Sequence, residues 1–255
     1  MDTLFLDHSL LSLTFAFIIA LGAGLVKGMV GFGMPMIMIS GLSTIMPPPL
    51  ALAALILPTL VSNSMQALRQ GPQAALASTY KFRVFMVTGA VVLLLSAQLV
   101  AILPLSVLLG GIGCAVVLFA ALQIVGVRLS LQRQSVRSDM TVGAFAGFTG
   151  GMSGIWGPPT VMYLTALNTQ KAEQVRVQGV IYGLNAVLLI VAHIASGILT
   201  WQTWQLSAAL IVPAVLGTWL GGALQDRINQ TVFRRATLIV LLVAGLNLIR
   251  RALVG

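Results

Sequence analysis

The residues of this chain predict an all-α polytopic membrane protein: two inverted repeats of about five hydrophobic segments each, with Gly/Pro-broken half-helices. Composition is the first reason. Of 255 residues, 58% are hydrophobic and only 7% charged, where a soluble domain carries about 25% charged residues. Long unbroken apolar runs are the second; a membrane β-barrel would alternate apolar and polar residues instead. A duplicated motif is the third. Gly28-Met29-Val30-Gly31-Phe32-Gly33-Met34-Pro35 and Gly151-Met152-Ser153-Gly154-Ile155-Trp156-Gly157-Pro158 repeat Gly, Met, Gly and Pro at a constant offset of 123 residues. A repeat of that size divides the chain into two related halves, a common build of membrane transporters.

The N-terminal stretch, Met1-Asp2-Thr3-Leu4-Phe5-Leu6-Asp7-His8, is acidic and lacks the basic region of a cleaved signal, so it is expected to stay attached to the first spanning helix. Apolar stretches follow at roughly 10–27, 35–46, 48–67, 83–102 and 105–127, then at 140–155, 158–168, 175–195, 204–224 and 232–249. Both halves keep one rhythm: a long segment, a Gly-rich break, a short segment, then three long ones. Most long segments have about the 20 residues needed to cross a bilayer. The segments opening at Pro35 and Pro158 are too short to cross alone and read as half-helices or limbs of re-entrant hairpins. The result is one transmembrane domain over 1–255, with repeat 1 at 1–127, a linker at 128–139 and repeat 2 at 140–255.

Charge sets the topology. The net charge is +9, and its cations lie in short connections: Arg69, Lys81 and Arg83, then Arg128, Arg133 and Arg137, then Arg227, Arg234 and Arg235. The connections at 47–49, 103–104 and 196–205 carry no charge, and the last holds Trp201 and Trp204, suited to a membrane interface. Basic loops in the cytoplasm give an outside N-terminus and a multi-pass protein. Arg250 and Arg251 then lie outside, against the trend. An odd number of segments per half turns the second copy upside down. This pattern of cations argues against a nucleic-acid partner; the bilayer and a small anionic solute are the partners expected, with the oligomeric state, a homodimer included, left open. The single cysteine, Cys114, excludes an intramolecular disulfide and reads as a small packing residue.

The Gly-Pro breaks carry the expected site. Proline at a first helical position loses no hydrogen bond, and glycine lets backbone approach a ligand closely. Exposed N–H groups and the helix dipole then favour an anion. The expected substrate-binding set is Gly28, Gly31, Gly33 and Pro35 of the first copy and Gly151, Gly154, Trp156, Gly157 and Pro158 of the second. Asn63 and Asn185 join it, because they recur at an offset of 122 and sit inside apolar runs. They either donate to an oxyanion or tie helices together; Gln66 and Gln178 are weaker members of the same kind. The glycines also suit close helix packing. Lys27, whose counterpart is Gly150, either charges the vestibule or snorkels to the headgroups, and snorkelling is the reading preferred. His193 reads as a packed histidine more than a relay. The acids, Asp2, Asp7, Asp139, Glu173 and Asp226, all fall at a terminus or in a connection, which argues against a cation pump or a carboxylate proton relay. No metal, cofactor or nucleotide motif is present in the sequence.

The paired motifs, the apolar segments ending near Asn63 and Asn185, and the ten-segment rhythm resemble the TauE/SafE sulfite exporter family across essentially the whole chain. That resemblance implies a bacterial inner-membrane transporter, not an enzyme, exporting sulfite, a sulfonate such as sulfoacetate, or a related organic oxyanion. The chain departs from its own repeat in Trp156 and in the triple proline Pro47-Pro48-Pro49, which has no counterpart near Thr169. Two other readings stand beside it. One is a passive anion channel of the same architecture. The other is a rhomboid-like intramembrane serine protease using Ser153 and His193, which the repeat disfavours because Val30 occupies the position equivalent to Ser153.

Overall fold

A computed structural model describes residues 10–96, 105–127, 130–153, 157–195 and 200–254. Among them the regular structure is helical throughout. The first half contains α1 (Leu10–Val30), α2 (Met34–Leu42), α3 (Pro48–Leu68), α4 (Pro72–Lys81), α5 (Arg83–Ser96) and α6 (Leu105–Ile124). The second contains α7 (Val136–Ser153), α8 (Gly157–Ala166), α9 (Lys171–Ala195), α10 (Trp201–Ala209), α11 (Ile211–Arg227) and α12 (Gln230–Val254). By length and composition, Leu11–Val30, Pro49–Leu68, Thr203–Arg227 and Gln230–Val254 are long and apolar enough to cross a membrane. The pair α4 and α5, bent by 69°, makes a fifth span if taken together.

The helices gather into two compact units, Met1–Ala75 with Gln178–Ile228, and Leu76–Val177 with Asn229–Gly255. Each unit therefore draws on both halves of the sequence. In the first, α1 packs along α11; in the second, α7 packs along α5. The same rule operates in both: the leading helix of one half lies on the fourth segment of the other. Glycine makes the approach possible. A Cβ on Gly24 or Gly28 of α1 would collide with the backbone of α11, and one on Gly217 or Gly221 of α11 would collide with α1. In the second unit, Gly143 and Gly147 of α7 meet α5 at Phe85 and Gly89 in the same way. Gly24 and Gly147 are 123 residues apart, the offset of the motifs. Without a hydrophobic force between helices in lipid, this backbone proximity supplies the van der Waals contact that holds spans together.

Proline inside α3 shows how the first unit satisfies its backbone. Pro58 has no N–H to offer the Ala54 carbonyl four residues earlier, and that loss is costly in hydrocarbon. Ser207 of α10 donates its hydroxyl to Ala54 O at 3.2 Å and accepts from the Leu57 amide at 3.1 Å. The start of α10 is fixed by a capping box, in which Thr200 and Thr203 bond each other's backbone amides.

Several local expectations are corrected. The uncharged connection expected at 196–205 already carries α10 from Trp201, with Trp201 and Trp204 paired at 5.3 Å between ring centroids. The segment expected from residue 83 is preceded by a further helix, α4. Asp139 is not a solvated connection residue: it lies in the first turn of α7, only 4% exposed. Glu173 and Asp226 are likewise helical, in the first turn of α9 and near the end of α11. Cys114 lies on an exposed face of α6 rather than in packing.

Candidate functional site

The first Gly-Pro break is described residue by residue. α1 ends at Val30, and the Gly31 amide closes its last turn on Lys27 O at 2.6 Å. Gly31 and Gly33 then take φ of 92° and 93°, left-handed values that a side chain resists. Gly33 is the N-cap of α2, and Pro35 follows in the first turn with no side chain capping the free amides. Helix, left-handed turn and new helix thus follow directly from Gly-x-Gly-x-Pro. The first-turn N–H groups of α2 stay available at the positive end of its dipole.

Around this break the first unit assembles polar side chains in an otherwise apolar interior. Lys27 is 1% exposed, and its ammonium donates to Asn63 Oδ1 of α3. Gln66, one turn further along α3, donates to Lys27 O at 2.9 Å. Ser62, beside Asn63, donates to the Met34 sulfur at 3.4 Å, so this stretch of α3 runs from Lys27 to the start of α2. From α9, Gln178 satisfies its surroundings with its amide nitrogen turned to Gly31 O and Val30 O, at 3.1 and 3.2 Å. Four residues on, the Tyr182 ring lies 6.0 Å from the Lys27 ammonium, within range of a cation–π attraction. α9 comes this close to α3 because Gly179 sits against Asn63 O, the Gln66 Cβ and the Ala67 amide.

The charge balance of this cluster is uneven. Among the described residues the ion pairs are Arg69 with Asp226 and Lys81 with Glu173, and no carboxylate reaches Lys27. Two polar atoms in the cluster are buried without a partner, Asn63 Nδ2 and Gln66 Oε1. Buried polar groups are ordinarily hydrogen-bonded, and a buried charge is ordinarily paired. Lys27 is therefore not a snorkelling residue: its amine is turned inward, and snorkelling requires contact with the headgroup region.

The residues expected to form the site fall into different environments. Gly31, Gly33, Pro35 and Asn63 belong to the cluster just described. Gly28 is one turn before the break, in the α1–α11 seam, where a Cβ would strike Thr218 O and Gly222 N. In the second copy, Gly151 lies in α7 and Gly157 opens α8, followed by buried Pro158 and Pro159. Gly154 and Trp156 lie outside the described residues, as do the side chains of Ser153 and His193. Asn185 is half-buried in α9 and, among the described residues, has no hydrogen-bond partner. At the far end of α8, Tyr163 donates to Asp139 at 2.8 Å and stacks on Phe85 at 5.8 Å, tying the short helix to α7 and α5. Tyr182 escaped the sequence reading entirely. Its spacing from Gln178, one helical turn on the same face, was the signal available.

Compared with protein-family models, the chain matches the one described as sulfite exporter TauE/SafE over residues 16–248. No curated protein and no solved structure matches it.

Proposed function

The chain belongs to the sulfite exporter TauE/SafE family, a transporter family of multi-pass membrane proteins, and from that premise we propose that it exports a small oxyanion. Sulfite, a sulfonate such as sulfoacetate, or a related organic oxyanion is the substrate, and the Gly-Pro helix breaks bind it. The observation carrying this reading is the buried Lys27, which no carboxylate among the described residues reaches and which α3 links, through Asn63 and Ser62, to Met34 at the uncapped start of α2. A cation and a helix N-terminus directed at one place favour a negative ligand. The halves are proposed to be inverted repeats in the bacterial inner membrane, with the N-terminus outside and the basic connections inside. Two features support the repeat: the constant motif offset, and the matching of leading and fourth segments in both compact units. In transporters built this way, half-helix ends hold the anionic group of the substrate.

Purified protein in liposomes tests the proposal. Saturable counterflow of sulfite or methanesulfonate, absent from protein-free liposomes, is expected. Flux that rises without saturation would make the protein a channel. No flux of any oxyanion, with cations or neutral solutes carried instead, would refute the assignment.

A further inference from the structure

Resting on the oxyanion reading above, we propose that the first break forms a binding site selective for singly charged oxyanions, with Lys27 as the charge-matching residue and Asn63 Nδ2 as a direct donor. The donors add up residue by residue. A lysine ammonium has three N–H groups; Asn63 Oδ1 takes one, leaving two. The Asn63 amide nitrogen, fully buried and unpartnered, offers two more. The first turn of α2 adds backbone N–H groups from a helix with no side-chain cap. Tetrahedral or pyramidal oxyanions present three or more acceptor oxygens, matching a donor set spread over three elements, α1, α2 and α3.

Charge decides which oxyanion. The titratable and charged groups around Lys27 are few. Among the described residues α9 contributes Tyr182, α2 and the nearby part of α3 contribute none, and the α1–α11 seam brings Arg69, which follows α3, and its partner Asp226 of α11. Arg69 is occupied by Gln225 Oε1 at 2.5 Å, Gly222 O at 3.1 Å and Asp226. One cation is thus left to match, and the α2 dipole adds only about half a charge. A monoanion is neutralised by this site; a dianion, sulfoacetate with its carboxylate included, carries its second charge into a low-dielectric interior unmatched, so among the substrates proposed above the site selects singly ionised sulfite and monosulfonates. Gln66 Oε1, a lone buried acceptor in the same cluster, faces a partly protonated oxyanion favourably and a fully ionised one unfavourably.

The test measures binding to the full-length protein in nanodiscs. Its probes are methanesulfonate (fixed single charge), sulfate (fixed double charge) and sulfite, which passes from one charge to two near neutral pH. Sulfate is expected to bind on the order of a hundredfold more weakly than methanesulfonate. Sulfite affinity should fall more steeply than methanesulfonate affinity as pH rises through the second ionisation of sulfite, and the ratio of the two affinities separates titration of the ligand from titration of the protein. Lys27→Met should weaken methanesulfonate binding roughly tenfold to a hundredfold. Asn63→Asp, nearly isosteric, supplies Lys27 with an internal counter-charge and should abolish binding in a protein that remains folded and more heat-resistant. Equal affinity for sulfate and methanesulfonate, or unchanged binding in Asn63→Asp, would overturn the site while leaving oxyanion transport standing. Failure of every oxyanion to bind or be transported would remove both.

Discussion

Gly28 and Gly22 occupy the same helix, and alanine at each should have opposite consequences. A Cβ at Gly22 would meet nothing within 4 Å, so Gly22→Ala gains the helix preference of alanine over glycine, about 0.5–1 kcal/mol. A Cβ at Gly28 would lie 2.8 Å from Gly222 N and closer still to Thr218 O. Ordinary contacts between heavy atoms begin at about 3.5 Å, so the Gly222 contact alone asks α1 and α11 to part by about 0.7 Å, and the closer Thr218 contact asks for more than about 1 Å. Gly24, Gly217 and Gly221 bring the same two backbones together, and separation at one weakens the contact at all. Overpacking of this kind costs about 1–3 kcal/mol. After the alanine gain is subtracted, Gly28→Ala should lose up to about 2.5 kcal/mol. For a chain of this size that corresponds to a fall of up to about 10 °C in melting temperature, against a rise for Gly22→Ala. Thermal unfolding of the two variants in the same detergent, followed by tryptophan fluorescence, makes the comparison. If Gly28→Ala melts with or above Gly22→Ala, the seam is not glycine-dependent and the packing account fails. A stability loss there would also separate Gly28 from Gly31 and Gly33, the glycines proposed to bind ligand further along the motif.

Other outcomes follow from single contacts. Ser207→Ala leaves Ala54 O without a partner beside Pro58 and should cost about 1–3 kcal/mol in thermal unfolding; a neutral result would mean that water fills the gap. Gly31→Leu forces a side chain into a φ of 92° and should abolish flux in liposomes while membrane insertion, read by fractionation, persists. Unchanged flux would count against the break as a binding element. Tyr163→Phe removes one donor to buried Asp139, leaving Gln134 at 2.8 and 3.1 Å; a loss of about 1 kcal/mol in thermal unfolding is expected, and none would show that Gln134 suffices. Ser153→Ala should leave transport unchanged and produce no difference in peptide cleavage, whereas loss of a peptidase activity would favour the protease reading.

The break itself was legible because Gly-x-Gly-x-Pro leaves few conformations open: two glycines reach the left-handed region and the proline starts the next helix. Asn63 was legible through a repeat offset and its place in an apolar run. Lys27 was misjudged for a physical reason. A lysine near the end of a span ordinarily reaches for the headgroups, and only the arrival of α3 and α9 at the same level turns it inward. Gly28 joined the expected substrate-binding set because it shares the motif, yet position along α1 gives it a different neighbour, α11. The division between α4 and α5 left no mark, since neither Gly nor Pro marks the bend near Phe82. Asp139 looked like a linker residue because a charged stretch precedes it, whereas Tyr163 and Gln134 supply the donors that let it be buried. Such partners come from distant sequence, and periodicity does not report them.

Diffraction at the selenium edge from crystals grown with selenite addresses the anion at the first break most directly. The account predicts an anomalous peak about 3.5–4 Å from the Lys27 ammonium, one Se–O bond beyond the hydrogen-bonded oxygen, with selenite oxygens within reach of Asn63 Nδ2 and the first turn of α2, and no such peak in Lys27→Met. Full occupancy elsewhere in the protein with that pocket empty would contradict it.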